Sequence, residues 1–413
     1  MRKIIVQNLS IALLSKAIGF ISFIYIAKIL SENEYGAFIY ITMVLSLLPL
    51  LQFGSMHGTV ILLPKYIVDP NKNEEELYVI SNYISHIIQL LAVGLLFLFN
   101  IELNYLIIAV IGTNFFLSHY SSNVQTYLDS HHEFQKANII KGIEQVLKPS
   151  VVLIVFYFYR SIESIFIAQL IVTTIILFIS LYMVPFKFLK IDFRKFKKTI
   201  STIYKLGFFI YLIWAIDILF RTADKWFISQ FYSLEELATY GFTSSLAMNV
   251  WLLAMSFFAP YAQVLYKYVA QGKFIDVKNT VESTNKKLYI LLLIVSVVAI
   301  VAYPFVLELI IKKYFGTEFL FFVLVVSAIF LSINNMYIYY MISNNFHFVL
   351  LKYQVFILVL NLMLNGVFAY YHLDILYYSY STIICLAIYF ILVRRCFYID
   401  IENKLKERIK WKN

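Results

Sequence analysis

The chain has 413 residues, of which 61% are hydrophobic and 14% charged, with a formal net charge of +10. Soluble domains are about half apolar and about a quarter charged, so this composition excludes an ordinary soluble enzyme and points to a polytopic membrane protein. The positive charge does not indicate nucleic acid: Lys and Arg sit in short segments between apolar runs, with no folded domain to present a groove. Anionic lipid headgroups are the partner that such loops fit.

Apolar stretches of about 20 residues, enough to cross a bilayer as a helix, occur near 4–30, 36–63, 77–99, 103–127, 138–159 and 163–186. After a basic segment they resume near 204–230, 238–262, 288–311, 318–342, 351–371 and 374–396. The expected fold is all-α, with about 12 transmembrane helices. The first run is too long for a cleavable signal and is read as an uncleaved span. Cys385 and Cys396 give neither a disulfide framework nor metal spacing.

The N-terminus, the even-numbered loops and the C-terminal tail carry most of the Lys and Arg, whereas the opposite loops hold Arg160, Lys312 and Lys313. The positive-inside rule then places both termini in the cytoplasm. The densest basic segment divides the spans into two equal halves, related by an axis along the membrane normal. The expected organisation is a bundle over 1–190, a basic cytoplasmic linker over 191–203, a second bundle over 204–396 and a basic tail over 397–413. A short echo supports duplication: Glu34-Tyr35-Gly36 follows span one, and Glu236-Leu237-Ala238 follows span seven.

Span seven places Asp217, Arg221, Asp224 and Lys225 within one membrane-crossing run. A charge near the hydrocarbon centre costs roughly 2.5–3.5 kcal/mol, so such residues face a bundle interior or a wet cavity. The spacing i, i+4, i+7 puts Asp217, Arg221 and Asp224 on one face, with Lys225 beside them. Lys16 lies about 18 Å along span one from Ile4, near mid-depth. Lys148 sits at similar depth in span five, one turn after Glu144. These cations exceed the acids Glu144, Asp217 and Asp224, which suits an anionic group. The plainer reading is internal ion pairing: Asp217 with Arg221, Arg221 with Asp224, and Glu144 with Lys148. Asp217 and Asp224 are also candidates for proton coupling.

Other polar residues are less specific. Asn114, Ser118, Gln125 and His119 in span four, and Asn361 and Asn365 in span eleven, fit interhelical hydrogen bonding better than sugar contact. His57 is a lone intramembrane histidine that fits a buried neutral ring better than a coupling group. His131-His132-Glu133 lacks further ligands at metal spacing, so no metal site is expected. No phosphate loop and no nucleophilic triad is present, and neither catalysis nor a cofactor is expected. The tail from Lys404 to Lys412 alternates basic and apolar residues, as a surface amphipathic segment does.

Three motifs carry a family resemblance. Leu30-Ser31-Glu32-Asn33-Glu34-Tyr35-Gly36 is similar to an "L-S-x-x-E-Y-G" turn. Ala223-Asp224-Lys225-Trp226-Phe227-Ile228-Ser229 is similar to "x-D-R/K-x-x-I/L". Leu234-Glu235-Glu236-Leu237-Ala238-Thr239-Tyr240 is similar to "E-E-x-G-x-Y", with Ala238 in place of the usual Gly. With these motifs and its span layout, the chain resembles the Wzx-type O-antigen flippases of the multidrug/oligosaccharidyl-lipid/polysaccharide superfamily. The resemblance implies two six-helix bundles forming a V around a central cavity. It also implies a bacterial inner-membrane protein that moves an undecaprenyl-pyrophosphate-linked oligosaccharide from the cytoplasmic to the periplasmic leaflet by ion-driven alternating access. Lys16, Lys148, Arg221 and Lys225 would contact that substrate, and a polysaccharide polymerase is a candidate partner. The alternatives are a drug/cation antiporter of the same superfamily, which calls for an acid-lined cavity, and a membrane glycan polymerase or ligase, which calls for a large outward loop.

Overall fold

The computed structural model describes residues 2–69, 72–98, 105–185 and 193–410, and every regular element among them is helical. In chain order these are α1 (Arg2–Ile29), α2 (Glu32–Leu47), α3 (Ser55–Val68), α4 (Glu74–Leu98), α5 (Tyr105–Ser130), α6 (Phe134–Tyr159) and α7 (Ile162–Met183). They continue with α8 (Phe193–Phe231), α9 (Leu234–Ala270), α10 (Phe274–Leu309), α11 (Glu318–Ser343), α12 (His347–Tyr370) and α13 (Leu376–Lys410). Among the described residues, 8 helical stretches are long and apolar enough to cross a membrane. The side chains agree. On α10, Ile290, Leu293, Ile294, Val297, Val301 and Phe305 are exposed, while Leu288, Leu292 and Leu307 are buried. An apolar stripe of that extent, turned outward at helical period, belongs against lipid rather than water.

The second expected span is two helices. Pro49 helps to start a 3-10 turn over Leu48–Gln52 between α2 and α3, and the chain reverses its local twist at Phe53 (φ 47°) and Gly54 (φ 95°). Apolar periodicity continues through this break, which is why hydropathy alone reads a single helix. The basic stretch expected as a linker is helical from Phe193 onward and runs without interruption into the apolar part of α8. Its amphipathic pattern explains this: Phe196, Ile200, Ile203 and Tyr204 pack on the core, while Arg194, Lys197, Lys198 and Lys205 are exposed. The stretch 186–192 lies outside the described residues. The tail is likewise helical through Lys410, and 411–413 lie outside the described residues.

Contacts divide the chain into two compact units, Met1–Ser31 with Leu45–Leu212, and Glu32–Val44 with Ile213–Asn413. The division therefore falls inside α8, and the first part of α2 belongs to the second unit. In the first unit, α1 packs on α6 at a proline. Pro149 has no N–H, so the carbonyl of Gln145 has no partner in its own helix. Ser15 Oγ donates to that carbonyl at 2.6 Å, and Ser22 Oγ donates to the Pro149 carbonyl at 2.9 Å. In the same unit α3 and α8 meet backbone to backbone. A Cβ built on Gly207 would lie 2.1 Å from the Gly54 carbonyl oxygen, and one on Gly58 would lie 2.1 Å from the Ile203 carbonyl oxygen.

The second unit holds the α2 segment by the same means. A Cβ on Gly36 would lie 2.0 Å from the Leu234 carbonyl oxygen, and the neighbouring Tyr35 is fully buried against Phe242 and Tyr314. Ser233 and Glu236 form a capping box that fixes the start of α9 at this contact. Replacing Gly207 or Gly36 by Ala is expected to force these helices apart and to cost about 1–3 kcal/mol. A thermal melt of each purified variant in detergent checks this, and an unchanged midpoint contradicts it.

Candidate functional site

The charges of α8 gather in the second unit, where α8, α9, α11 and α13 line a cavity of about 80 Å³. Its polar wall is Arg221, Asp224, Lys225, Tyr240, Ser244, Ser327 and Thr382. Asp224 is 7% exposed and is the best-satisfied group in it. Its Oδ2 accepts hydrogen bonds from Tyr240 Oη at 2.7 Å and Thr382 Oγ1 at 2.5 Å, and its Oδ1 accepts one from Asn365 Nδ2 at 2.9 Å. Asn361 orders that donor. Its Oδ1 accepts from Asn365 Nδ2 at 3.2 Å, and its own Nδ2 donates to Ser381 Oγ at 2.7 Å. One carboxylate thus collects neutral donors from α9, α12 and α13. Several donors thus replace the water that this buried carboxyl group has lost.

Arg221 is engaged elsewhere. Its Nη2 donates to Asp217 Oδ2 at 2.6 Å, one turn back on α8, and its guanidinium lies 5.2 Å from the Trp251 ring centroid. Of the pairings open to the sequence, Asp217–Arg221 forms, whereas Asp224 takes uncharged partners instead of Arg221. Lys225 lines the cavity and makes no hydrogen bond or ion pair of its own among the described residues. The arrangement leaves one ammonium uncommitted and one guanidinium held by a single, half-exposed carboxylate. Such a wall can take an anion, while the hydroxyls of Ser244 and Ser327 in it donate to the Gly241 and Val323 carbonyls of their own helices.

Lys16, Glu144 and Lys148 lie in the first unit. The Ser15–Gln145 bond brings the seam of α1 and α6 to the positions next to Lys16 and Lys148, and both lysines are half-buried there. Glu144 accepts from Gln125 Nε2 at 3.4 Å rather than pairing with Lys148 as expected. The predicted residues therefore divide between the units, with Lys16, Glu144 and Lys148 in one and Asp217, Arg221, Asp224 and Lys225 in the other.

The remaining polar candidates are interhelical ties. Asn361 and Asn365 serve Asp224, Asn114 accepts from Thr173 at 2.5 Å, and the His119 ring meets Gln52 Nε2 at 2.7 Å. His57 packs edge-on to Tyr211, and His131 meets Glu74 at 3.2 Å. Among the described residues no cluster of His, Cys, Asp or Glu could hold a metal ion. Sequence reasoning did not single out Tyr240, Thr382 or Trp251 as partners of the α8 charges. Tyr240 ends a quoted motif and could have been found, but Thr382 and Trp251 stand on distant helices with no local signal. Replacing Asn365 by Leu is expected to destabilise the unit by about 1–3 kcal/mol, since a donor to the buried Asp224 carboxyl group is lost. Replacing the exposed Asn33 by Leu should cost nothing comparable; equal melting shifts for the two variants would contradict the assignment.

With this geometry in place, comparisons with known proteins become informative. A family model described as "Polysaccharide biosynthesis protein" matches residues 2–273. No curated protein matches by sequence. Among solved structures, the chain is similar to an inward-facing multidrug resistance MATE family transporter of the MOP superfamily, with 14% identity, TM-score 0.78, and coverage of 97% of this chain and 99% of that one. It is also similar to the lipid II flippase MurJ in an inward closed conformation, with 14% identity, TM-score 0.73, and coverage of 97% and 89%. A third is a MOP superfamily transporter from Pyrococcus furiosus, with 14% identity, TM-score 0.62, and coverage of 95% and 95%. At these identities the structural likeness establishes the fold, while the family model spans well over half of the sequence. The resemblance carried by Leu30–Gly36 and by Ala223–Ser229 is borne out: this chain is a multi-pass membrane protein that belongs to the polysaccharide biosynthesis protein family and has the fold of the MOP superfamily transporters.

Proposed function

We propose that this protein carries an isoprenyl-pyrophosphate-linked oligosaccharide, a repeat unit of O-antigen or a related surface polysaccharide, from the cytoplasmic to the periplasmic leaflet of a bacterial inner membrane. Both termini lie in the cytoplasm in this reading, and transport proceeds by alternating access without ATP or covalent chemistry. The observation that carries it is the cavity wall of the second unit, where Lys225 has no hydrogen bond or ion pair among the described residues and Arg221 has Asp217 as its one ion-pair partner beside the Trp251 ring. A pyrophosphate entering a low-dielectric site needs fixed cations, and these two supply a bidentate fork and a point charge. Lys16 and Lys148 supply a second cationic group in the first unit. The family match and the lipid II flippase among the structural relatives support the same substrate class.

Asp224 is the coupling acid in this proposal. It is fully enclosed, its donors come from several helices, and a change in its charge or its bound ion would be felt by all of them. The drug/cation antiporter fits less well, because the one carboxylate on the cavity wall is already saturated by neutral donors. A glycan polymerase or ligase fits less well too, since turns such as Arg160–Ser161 and Tyr232–Ser233 have no room for a catalytic loop. The exposed basic face of α8 fits anionic lipid headgroups, and a polysaccharide polymerase remains the proposed recipient of the released units.

Complementation of a deletion strain tests this. Arg221→Gln, Lys225→Gln and Lys16→Gln are each expected to lower surface polysaccharide about tenfold or more, the loss set by one charge-assisted hydrogen bond. Lipid-linked units should accumulate on the inner leaflet while membrane levels of the protein stay normal. Full export by the Arg221→Gln and Lys16→Gln variants would remove the basis of the proposal. Asp224→Asn should bind substrate yet fail to transport it, read as crosslinking to a photoreactive lipid pyrophosphate without export.

A further inference from the structure

Arg221 is supported along one edge and on one face, and the two supports differ in kind. Along the edge, Nη2 donates to Asp217 Oδ2 at 2.6 Å and Nε donates to the Asp217 main-chain carbonyl at 3.4 Å. On the face, the Trp251 ring lies 5.2 Å from the guanidinium carbon, centroid to carbon. Trp251 comes from α9, where Tyr240, Ser244, Ala247 and Met248 line the cavity at helical spacing. It follows Ala247 by one turn on the same face, and it does not line the cavity itself.

We infer that Trp251 is a positioning residue, which holds the Arg221 guanidinium so that its Nη1/Nη2 end is presented to an anion in the cavity. Two hydrogen bonds along one edge leave a planar group free to tilt about that edge. An aromatic ring against its face removes that freedom and attracts the cation as well. The support is needed here because Lys225 stands one turn further along α8, and like charges at i, i+4 repel.

The kind of support matters. A second carboxylate would also fix Arg221, but it would occupy N–H groups and compete with an incoming anion. The indole takes up only the face, so no N–H is spent. Holding the fork in place beforehand lowers the rotamer entropy that an arginine loses on binding, which is how a residue that never touches the anion raises the affinity for it. This rests on the reading of Arg221 as an anion ligand.

Calorimetric titration of the detergent-purified protein with inorganic pyrophosphate tests the inference. Trp251→Leu is expected to bind about 3–10-fold weaker, while Trp251→Phe, which keeps an aromatic face, should stay within about threefold of the parent. In the Arg221→Gln background, Trp251→Leu should cause no further loss, since there is no guanidinium left to hold. Should Trp251→Leu unfold before it can be titrated, Trp251→Met fills more of the space without an aromatic face and carries the same expectation. A merely structural role predicts an equal loss in both backgrounds, and that result overturns the inference. Parent-like binding by Trp251→Leu or Trp251→Met, with Arg221→Gln still weak, overturns it too and leaves the anion site standing. If Arg221→Gln itself binds pyrophosphate as well as the parent, the reading of Arg221 as an anion ligand fails, and the inference with it.

Discussion

A carboxyl group buried inside a membrane helix must find its hydrogen bonds within the protein, and the second unit meets that requirement at Asp224. Three donors from three other helices converge on two oxygens, and a fourth side chain, Asn361, orients one of them. Each donor is worth little to its own helix. Together they fix how α9, α12 and α13 stand around α8, because moving any one of them leaves a buried polar group without its partner.

Close backbone approach is the second means by which the units hold together. Hydrocarbon gives helices no hydrophobic reason to associate, so packing and hydrogen bonds must do it. Gly54, Gly58 and Gly207 let α3 and α8 touch through their main chains, and Gly36 does so against Leu234. The Ser15 hydroxyl on the carbonyl freed by Pro149 is the polar counterpart of these contacts. It turns a defect in α6 into an attachment point for α1.

Much of this was readable in one dimension. Apolar run lengths locate the membrane-crossing stretches, and the i, i+4, i+7 spacing of Asp217, Arg221 and Asp224 puts them on one face. The motif residues Glu34-Tyr35-Gly36 and Asp224-Lys225 identify the family later shown by comparison. The misreadings have a common cause. The break at Phe53-Gly54, the helical state of the stretch after Phe193 and the loss of the Glu144–Lys148 pair all depend on what a segment packs against, which periodicity does not contain.

The sequence by itself determined the class of protein, the helices and the presence of charges at membrane depth, because hydropathy and helical spacing are local properties that partition between lipid and water segment by segment. Tertiary structure alone decided which acid is saturated and which is shared. Asp217 and Asp224 are seven positions apart on one helix and look alike in the sequence. Only the arrival of Arg221 at the first, and of Tyr240, Asn365 and Thr382 at the second, makes Asp217 a counter-ion and Asp224 an enclosed, hydrogen-bonded carboxyl group. It also decided that Glu32–Val44 packs with the second unit although it follows the first helix, since the fit of Gly36 to Leu234 exists only once α8 and α9 have folded.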